Sequence, residues 1–274
     1  MKIGVIGLGL GYSLAKYLAS FEHDIVGVDL DAKSFEHPRM DANMREWILA
    51  HDFPVTFTTD FSKLKDREII MLFVSTPLED GRISIRNVLV ALSESLAINP
   101  DAHYAILSTL PIGAMTSISG FFPEATICYV PPMVKKHDFL STFIHPPSGF
   151  QMFGGLPTLR LRKLYASIQK ANQIIAPAQT VEAAKLSINL MLATKVIMAN
   201  AIGDSFGEEV CEIVSQDPRI GKGYFKPGGP ASGPCLPRDL MELEASTSGN
   251  LREMIKLFNR VNKTEEIAGL KVLQ

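Results

Sequence analysis

The sequence contains little cysteine and no surplus of positive charge. Its three cysteines among 274 residues lie far apart and form no CxxC pair, so neither a disulfide framework nor a zinc site is expected, and a reducing compartment fits. Cys128 and Cys211 lie in apolar strand and helix patterns and are expected to be buried. The 27 basic residues are scattered among 29 acidic ones, which argues against a nucleic-acid partner because such proteins carry a basic surplus or stripe.

The longest helical pattern, residues 181–206, is interrupted by charged and amide side chains. These are Glu182, Lys185, Asn189, Lys195, Asn200 and Asp204. A membrane span needs about 20 predominantly apolar residues, so this helix is interpreted as too polar to cross a bilayer. The apolar run near the N-terminus is punctuated by glycines and leads into a strand–helix pattern, which is typical of folded structure rather than of a signal peptide. We therefore expect a soluble, cytoplasmic protein.

The pattern of strands and helices changes once along the chain. Short β-branched runs alternate with helical patterns up to about Ala176, which predicts a Rossmann-type, doubly wound parallel sheet in an α/β domain. The first helix is predicted over residues 12–20. After Pro177 the strand signals stop and a helical period continues. We therefore expect a sheet domain over residues 1–177 and a smaller all-helical domain with a long central helix over residues 178–274.

A glycine-rich loop, Gly7-Leu8-Gly9-Leu10-Gly11, follows the first predicted strand and precedes the first helix. Such a loop lets backbone N–H groups approach a pyrophosphate at the positive end of a helix dipole. Asp29 ends the second predicted strand, 22 residues after Gly7, where a carboxylate accepts hydrogen bonds from ribose hydroxyls and repels a 2′-phosphate. These residues predict a dinucleotide site that prefers NAD to NADP.

Tyr12 departs from the usual glycine fingerprint. A full G-x-G-x-x-G pattern would place its third glycine at this position, whereas the loop here reads G-x-G-x-G. Two interpretations stay open: a shortened turn that still binds the cofactor, or a distorted site with weak or no affinity.

A second group of polar residues lies in the helical half of the chain. Lys185 and Asn189 are four residues apart and therefore share a helix face, where an ammonium and an amide can stabilise an oxyanion. Cys235 lies in a segment rich in glycine and proline, with Arg238 and Asp239 directly behind it, which favours a thiolate nucleophile. Alone, the lysine–asparagine pair is equally typical of an ordinary helix surface.

Taken in order, seven segments of the chain resemble the UDP-glucose/GDP-mannose 6-dehydrogenase family. They are IGVIGLGLG (3–11), GVDLD (27–31), VSTPLEDG (74–81), STLPIG (108–113), VEAAKLSINLMLATK (181–195), DPRIG (217–221) and GPCLPRDL (233–240). Each segment is modest alone, but their order and spacing are specific, and the resemblance covers nearly all of the chain.

Members of this family oxidise the C6 alcohol of a nucleotide sugar to a carboxylate in two hydride transfers, consuming two NAD. The resemblance implies that Cys235 is the nucleophile, which holds the substrate first as a thiohemiacetal and then as a thioester. It assigns oxyanion stabilisation to Lys185 and Asn189, and proton movement through water to Asp239. It also implies that Thr109 positions water near the nicotinamide.

Other residues are implied to bind rather than to react. Beyond the glycine loop and Asp29, the implied cofactor contacts are Ser75, Thr76, Ser108, Thr109 and Arg238. Besides Lys185 and Asn189, the implied contacts with a sugar nucleotide or related alcohol are Tyr224, Phe225, Lys226 and Gly233. The helix over residues 181–206 is implied to build the core of a homodimer. No metal is implied.

Three departures from the family pattern bear on the reaction. Pro132 occupies the position of the glutamate that is credited with activating water for thioester hydrolysis. The family's His-Pro-Asp-Arg pattern becomes His145-Pro-Pro-Ser148, which loses the arginine. The sequence ends at Gln274, before the further α/β domain that grips the nucleotide in the family. Three interpretations stay open: the substrate differs, a separate chain completes the site, or the sequence is a fragment.

Two alternative functions stay open at this point. A two-electron β-hydroxyacid dehydrogenase shares the Rossmann-plus-helical plan and the Lys-x-x-x-Asn pair, but needs no cysteine. A degenerate paralogue that binds NAD or a partner protein without catalysis fits Tyr12, Pro132 and the early end of the sequence. A requirement for Cys235 distinguishes the two enzymes, and cofactor binding tests both.

Overall fold

The chain folds around one large, mostly parallel β-sheet. The computed structural model describes residues 1–36, 38, 40–51, 53–135, 138–233 and 235–264. The strands are β1 (Lys2–Ile6), β2 (Asp24–Val28), β3 (Thr56–Thr58), β4 (Ile69–Leu72), β5 (Leu78–Glu79), β6 (Arg82–Ile83), β7 (His103–Ile106), β8 (Thr126–Tyr129), β9 (Phe150–Gly154) and β10 (Asn172–Ala176). Eight of them form the sheet in the order β10-β9-β8-β7-β4-β1-β2-β3, and β5 pairs with β6 in a separate antiparallel hairpin.

The helices connect the strands in the first half of the chain and follow one another in the second. They are α1 (Leu8–Ala19), α2 (Lys33–Glu36), α3 (Ala42–His51), α4 (Arg86–Ile98), α5 (Ala114–Phe121), α6 (Phe139–Ile144), α7 (Leu159–Ile168), α8 (Ala178–Phe206), α9 (Glu208–Val214), α10 (Leu236–Ser246) and α11 (Gly249–Asn262), with a 3₁₀ turn over Phe61–Leu64.

The burial of the central strands explains the layered architecture. β4 (IIML) is buried along its whole length, and β1 (KIGVI) is exposed only at Lys2. Strands that are apolar on both faces are typical of parallel sheets covered by helices on each side. All described neighbours in the sheet are parallel except β8 and β9. The predicted Rossmann-type sheet followed by a helical region is therefore confirmed.

The chain divides into two compact units. The first contains Met1–Thr76 and Ile85–Glu182, and the second contains Pro77–Ser84 and Ala183–Gln274. The hairpin of β5 and β6 thus belongs with the helices, although it lies in the first half of the sequence. A single cut after residue 177 does not anticipate this arrangement, and the predicted domain boundary stays a prediction.

Two helix boundaries differ from those expected from the sequence. α1 begins at Leu8 rather than at residue 12, so most of the predicted glycine loop is its first turn. α8 begins at Ala178 rather than at residue 181; it ends at Phe206 as expected, and Gly207, with a positive φ of 95°, separates it from α9. A left-handed glycine is a common way for a helix to end.

The long helix α8 is more apolar than its scattered polar residues suggest. By length and composition alone it could cross a membrane, with a mean hydropathy of 1.4 over an 18-residue window of which 33% is buried. The expectation that the helix is too polar is wrong on this measure, because Lys195 is the one charged residue between positions 186 and 203. The core helix of a soluble protein passes the same test.

Candidate functional site

Gly7 makes the turn between β1 and α1. Its φ is 87°, a left-handed conformation that glycine adopts without strain. Its N–H donates to the Val28 carbonyl at 2.9 Å. A Cβ at this position would lie 2.7 Å from the Phe73 carbonyl oxygen. Only glycine therefore fits where the chain turns from the sheet into the helix.

Gly9 leaves the first turn of α1 accessible. It is exposed, and no atom of the described residues would lie within 4 Å of a Cβ added there. By contrast, Gly11 is buried, with a Val5 methyl group 3.1 Å from such a Cβ. Amide groups at a helix N-terminus attract anions, so the open backbone at Gly9 fits the approach of a pyrophosphate.

Asp29 lies directly after β2, and its carboxylate reaches the beginning of α1. One oxygen accepts from the Leu8 N–H at 2.6 Å, and the other accepts from the Asp31 N–H at 3.0 Å. These bonds fix the carboxylate beside the glycine turn while the residue stays half-buried. A carboxylate held there fits the ribose-binding position of an NAD site.

Tyr12 packs against an aromatic ring of β3. Its ring stacks on Phe57, with 4.6 Å between ring centroids and 15° between planes. Phe57 itself occupies the space beside Gly27, where a Cβ would lie 2.6 Å from the ring. The turn that reads as shortened in the sequence is thus a regular helical turn, with Tyr12 attached to the neighbouring strand.

The other predicted cofactor residues follow β4 and β7, which are adjacent in the sheet. Ser75 accepts two hydrogen bonds from Asn87 Nδ2, at 3.0 Å to its carbonyl and 3.1 Å to its hydroxyl. Ser108 donates to the Val74 carbonyl at 2.7 Å. Thr76 is buried and Thr109 is half-buried. Ligands bind at the carboxyl edge of parallel sheets, so these residues lie at the expected edge, and their cofactor contacts stay predictions.

In the second unit, Asp239 brings the predicted catalytic residues together. Its carboxylate is fully buried. Asn189 of α8 donates from Nδ2 to one oxygen at 2.6 Å, and the Arg238 guanidinium donates to the other from Nε and Nη2, each at 2.8 Å. Cys235 is exposed at the N-cap of α10, and its carbonyl accepts the Asp239 N–H at 2.9 Å. Asn189 thus lies in the same small region as Cys235, Arg238 and Asp239, although it is 50 residues from Asp239 in the sequence.

The pKa of Lys185 reflects the same group of charges. Burial lowers the pKa of this lysine below its ordinary value, the nearby Asp239 and Cys235 raise it, and Arg238 lowers it. Desolvation disfavours the charged ammonium. Lys185 is therefore moved towards the neutral form, although one buried carboxylate opposes that change.

The predicted substrate loop is only partly exposed. Tyr224 and Lys226 are exposed, and Gly233 is exposed with a φ of 87°. Phe225, however, packs into a small core with Ala199 and Cys211. The Phe225 ring therefore contributes to packing between the helices, and its expected contact with substrate stays a prediction. Cys211 and Cys128 are buried, as predicted.

Sequence reasoning missed the side chains that hold this loop. Lys195 donates to the Ile220 carbonyl at 2.8 Å. Asn200 binds two consecutive glycines of the loop: its Nδ2 donates to the Gly229 carbonyl at 2.7 Å, and its Oδ1 accepts from the Gly228 N–H at 3.0 Å. Asn200 follows Asn189 by eleven residues, which is about three helical turns. The recurrence of asparagine on one face of the helix is the sequence signal that could have predicted this role.

Sequence reasoning also missed the structural role of Glu182. It is fully buried, and its two oxygens accept from the N–H groups of Gly113 and Met115, each at 2.6 Å. It thereby caps the N-terminus of α5, directly after the STLPIG segment. Burial raises the pKa of its carboxyl, and the two backbone bonds lower it.

Pro132 is buried after β8, where the family glutamate was expected, and His145 ends α6. Within the described part of the chain, no three His, Cys, Asp or Glu residues are placed to hold a metal ion.

A Rossmann-type sheet with an open glycine turn, and a carboxylate fixed beside that turn, is typical of a dinucleotide-binding protein. Comparison with known families narrows this class. The model described as "UDP-glucose/GDP-mannose dehydrogenase family, NAD binding domain" matches residues 1–127, and the model for the family's central domain matches residues 179–265. The chain therefore belongs to the UDP-glucose/GDP-mannose dehydrogenase family, and its cofactor is NAD.

Individual relatives extend this comparison. The chain is 26% identical to UDP-glucose 6-dehydrogenase of Streptococcus pneumoniae over 98% of this chain and 75% of that enzyme. Its fold is similar to that of UDP-D-ManNAc dehydrogenase from Pyrococcus horikoshii, with a TM-score of 0.83 and 21% identity over 96% of this chain and 68% of that one. The chain spans between 30% and 75% of the lengths of the curated relatives it matches.

A different enzyme class shares the fold. The 3-hydroxyisobutyrate dehydrogenase of Mycobacterium tuberculosis has a TM-score of 0.62 and 15% identity, over 99% of each chain. At this identity the likeness shows the fold alone, so the fold by itself does not select between the two dehydrogenase reactions.

Substitution of two glycines separates folding from cofactor binding. We expect Gly7→Ala to cost roughly 1–3 kcal/mol of folding free energy, because alanine is strained at this φ and its Cβ clashes with Phe73. In Gly9→Ala the helix gains up to about 1 kcal/mol, but the added methyl group obstructs the pyrophosphate and weakens NAD binding. Thermal unfolding and fluorescence titration with NAD measure the two effects. A Gly9→Ala protein with undiminished NAD affinity contradicts the assignment.

Asp239→Asn tests the electrostatic coupling within the second unit. Removing the carboxylate eliminates an interaction that raises the pKa of Lys185, while burial and Arg238 continue to lower it. We therefore expect the pKa of Lys185 to fall further. The pH dependence of Lys185 acetylation, followed by peptide mass spectrometry, reports this change. Glu209→Gln, at an exposed position of α9, serves as the control, and an unchanged or raised pKa in Asp239→Asn contradicts the coupling.

Proposed function

We propose that the protein is an NAD-dependent oxidoreductase that oxidises a primary alcohol of a sugar nucleotide, with Cys235 as its nucleophile. The observation that carries this proposal is the arrangement around Asp239, which binds Asn189 and Arg238 and lies one helical turn after the exposed Cys235. Family membership supports the same chemistry, because the pneumococcal relative is a UDP-glucose 6-dehydrogenase.

In the first oxidation, the alcohol carbon loses a hydride and its hydroxyl loses a proton, which produces an aldehyde. Bound NAD supplies the hydride acceptor. We propose that Lys185 and the second amide hydrogen of Asn189 stabilise the developing oxyanion. The lowered pKa of Lys185 supports a further role in proton exchange, since acid–base groups act best near the working pH.

In the second oxidation, the Cys235 sulfur adds to the aldehyde carbon and forms a thiohemiacetal. Loss of a second hydride, for which a second molecule of NAD would be the acceptor, and of the hydroxyl proton converts this adduct to a thioester. Water then releases the carboxylic acid and restores the thiol. Asp239 is proposed to help move protons through water, and Thr109 to position that water. Tyr224, Lys226 and Gly233 are proposed to line the substrate, and Ser75, Thr76, Ser108 and Arg238 to contact the cofactor.

The number of NADH molecules formed per substrate tests this mechanism. In a panel of nucleotide sugars and simple alcohols, we expect a yield of two with a nucleotide sugar, because the thiol carries the substrate through both oxidations. Cys235→Ser should abolish acid formation, whereas Cys211→Ala, which removes a buried cysteine outside the site, should retain the yield. Undiminished activity in Cys235→Ser instead supports a two-electron reaction of the β-hydroxyacid type.

We further propose that α8 forms a homodimer core and that the protein is cytoplasmic. Met191 and Met198 of this helix are 62% and 43% exposed, and a second copy would cover them without a membrane. Light scattering at micromolar concentration should show a dimer. Met191→Glu should dissociate it, whereas Leu49→Glu, at an even more exposed position of α3, should not. A monomeric wild-type protein contradicts the proposal.

A further inference from the structure

Glu242 is a fully buried carboxylate on the helix that carries Cys235 and Asp239. It follows Asp239 by three residues and Cys235 by seven, so all three lie on one face of α10. Its side chain is 0% exposed. The catalytic steps proposed above give it no role. A buried charge is costly unless it is paired and hydrogen-bonded, so its partners indicate what it does.

The partners of Glu242 come from the hairpin of β5 and β6. The Ile83 N–H donates to Oε2 at 2.8 Å. The Arg82 guanidinium donates to both carboxylate oxygens, from Nε to Oε2 and from Nη2 to Oε1, each at 3.2 Å. Ser246, one turn further along α10, also donates to Oε1. A single carboxylate therefore fastens the hairpin to the helix through backbone and side-chain donors.

The hairpin has a special place in the sequence. Pro77–Ser84 directly follows Ser75 and Thr76, the segment expected to contact the cofactor, yet it packs with the helical unit. It is itself a closed turn, since the Ser84 N–H donates to the Pro77 carbonyl at 2.8 Å. Glu242 thus connects α10 to the peptide segment that continues from the candidate NAD-binding edge of the sheet.

We propose that Glu242 is a positioning residue, which fixes α10 against the hairpin that follows the cofactor-binding segment in the sequence, and thereby holds Asp239 and Cys235 in place. The effect of this positioning on catalysis rests on the proposed function. The contact between Glu242 and the hairpin does not, because its loss can be measured through the pKa of Lys185, which depends on the nearby Asp239.

The hairpin is held by hydrogen bonds that Arg82 and Ile83 donate to the Glu242 carboxylate. Hydrogen bonds to an ionised carboxylate are roughly twice as strong as those between neutral groups, and an arginine fork adds geometric specificity. Replacing Glu242 with glutamine retains the shape but removes the charge, so the hairpin is held less firmly. The first turn of α10 then loses its fixed position, and the Asn189–Asp239 bond is weakened.

The experiment compares two Glu→Gln substitutions on the same helix. Glu242→Gln loosens the hairpin, whereas Glu244→Gln alters a carboxylate that holds Asn259 of α11 at 2.7 Å. We expect Glu242→Gln to shift the pH profile of Lys185 acetylation to lower pH, in the same direction as Asp239→Asn, while Glu244→Gln leaves it unchanged. Circular dichroism confirms that each variant is folded. Equal shifts in both variants, or a shift in neither, overturn the proposal.

Activity gives a second measurement. We expect Glu242→Gln to lower kcat by about tenfold to a hundredfold, as small misplacements of reacting groups do, with KM little changed. If the wild-type protein proves inactive, the proposed function fails while the acetylation profile still decides the role of Glu242.

Arg82 provides an independent variant if Glu242→Gln does not fold. Its side chain is 51% exposed, so Arg82→Met removes the guanidinium with little loss of packing. We expect Arg82→Met to shift the Lys185 profile in the same direction and Arg82→Lys to restore part of it. An unchanged profile in folded Arg82→Met also overturns the proposal.

Discussion

The second unit depends on the burial of one negative charge, that of Asp239. A carboxylate removed from water loses several kcal/mol of hydration free energy, and only close donors compensate for this loss. Here Asn189 from α8 and Arg238 from α10 donate to both oxygens. Breaking a buried pair of this kind typically costs about 3–5 kcal/mol. The requirement to pair this charge thus fixes the positions of α8 and α10 and, with them, the position of the thiol at the N-cap of α10.

The same device recurs at two other fully buried carboxylates. Glu182 accepts from the backbone where α5 begins, and Glu242 accepts from the backbone and guanidinium of the hairpin. In each case a carboxylate on a long or well-packed helix holds a connecting segment that follows a sheet strand. Loops that carry function need a rigid scaffold to position them. These helices therefore act as supports whose charged side chains determine where the neighbouring segments lie.

The success of sequence reasoning depended on the distance between interacting residues along the chain. The glycine turn, Asp29 and the central strands were predictable because their signals are local. Leu8, as the first residue of α1, was missed because two glycines in the same turn suggest a loop. The hairpin was unpredictable for a different reason: Ile83 meets Glu242 159 residues later, and a charged residue on a helix resembles an ordinary surface residue. The burial of Phe225 beside Ala199 and Cys211 was not predictable, because the position of a residue in a motif does not report its burial.

Pro132 has no side-chain oxygen with which to activate water for thioester hydrolysis. A residue that activates water needs an oxygen directed at that water. Glu182 directs both of its oxygens at backbone N–H groups, so it serves as a cap rather than as a base. Asp239 has one donor partner on one oxygen and an arginine on the other. Both carboxylates therefore direct their oxygens at protein donors, whereas Lys185 and Asn189 share the face of α8 that the proposed first oxidation uses.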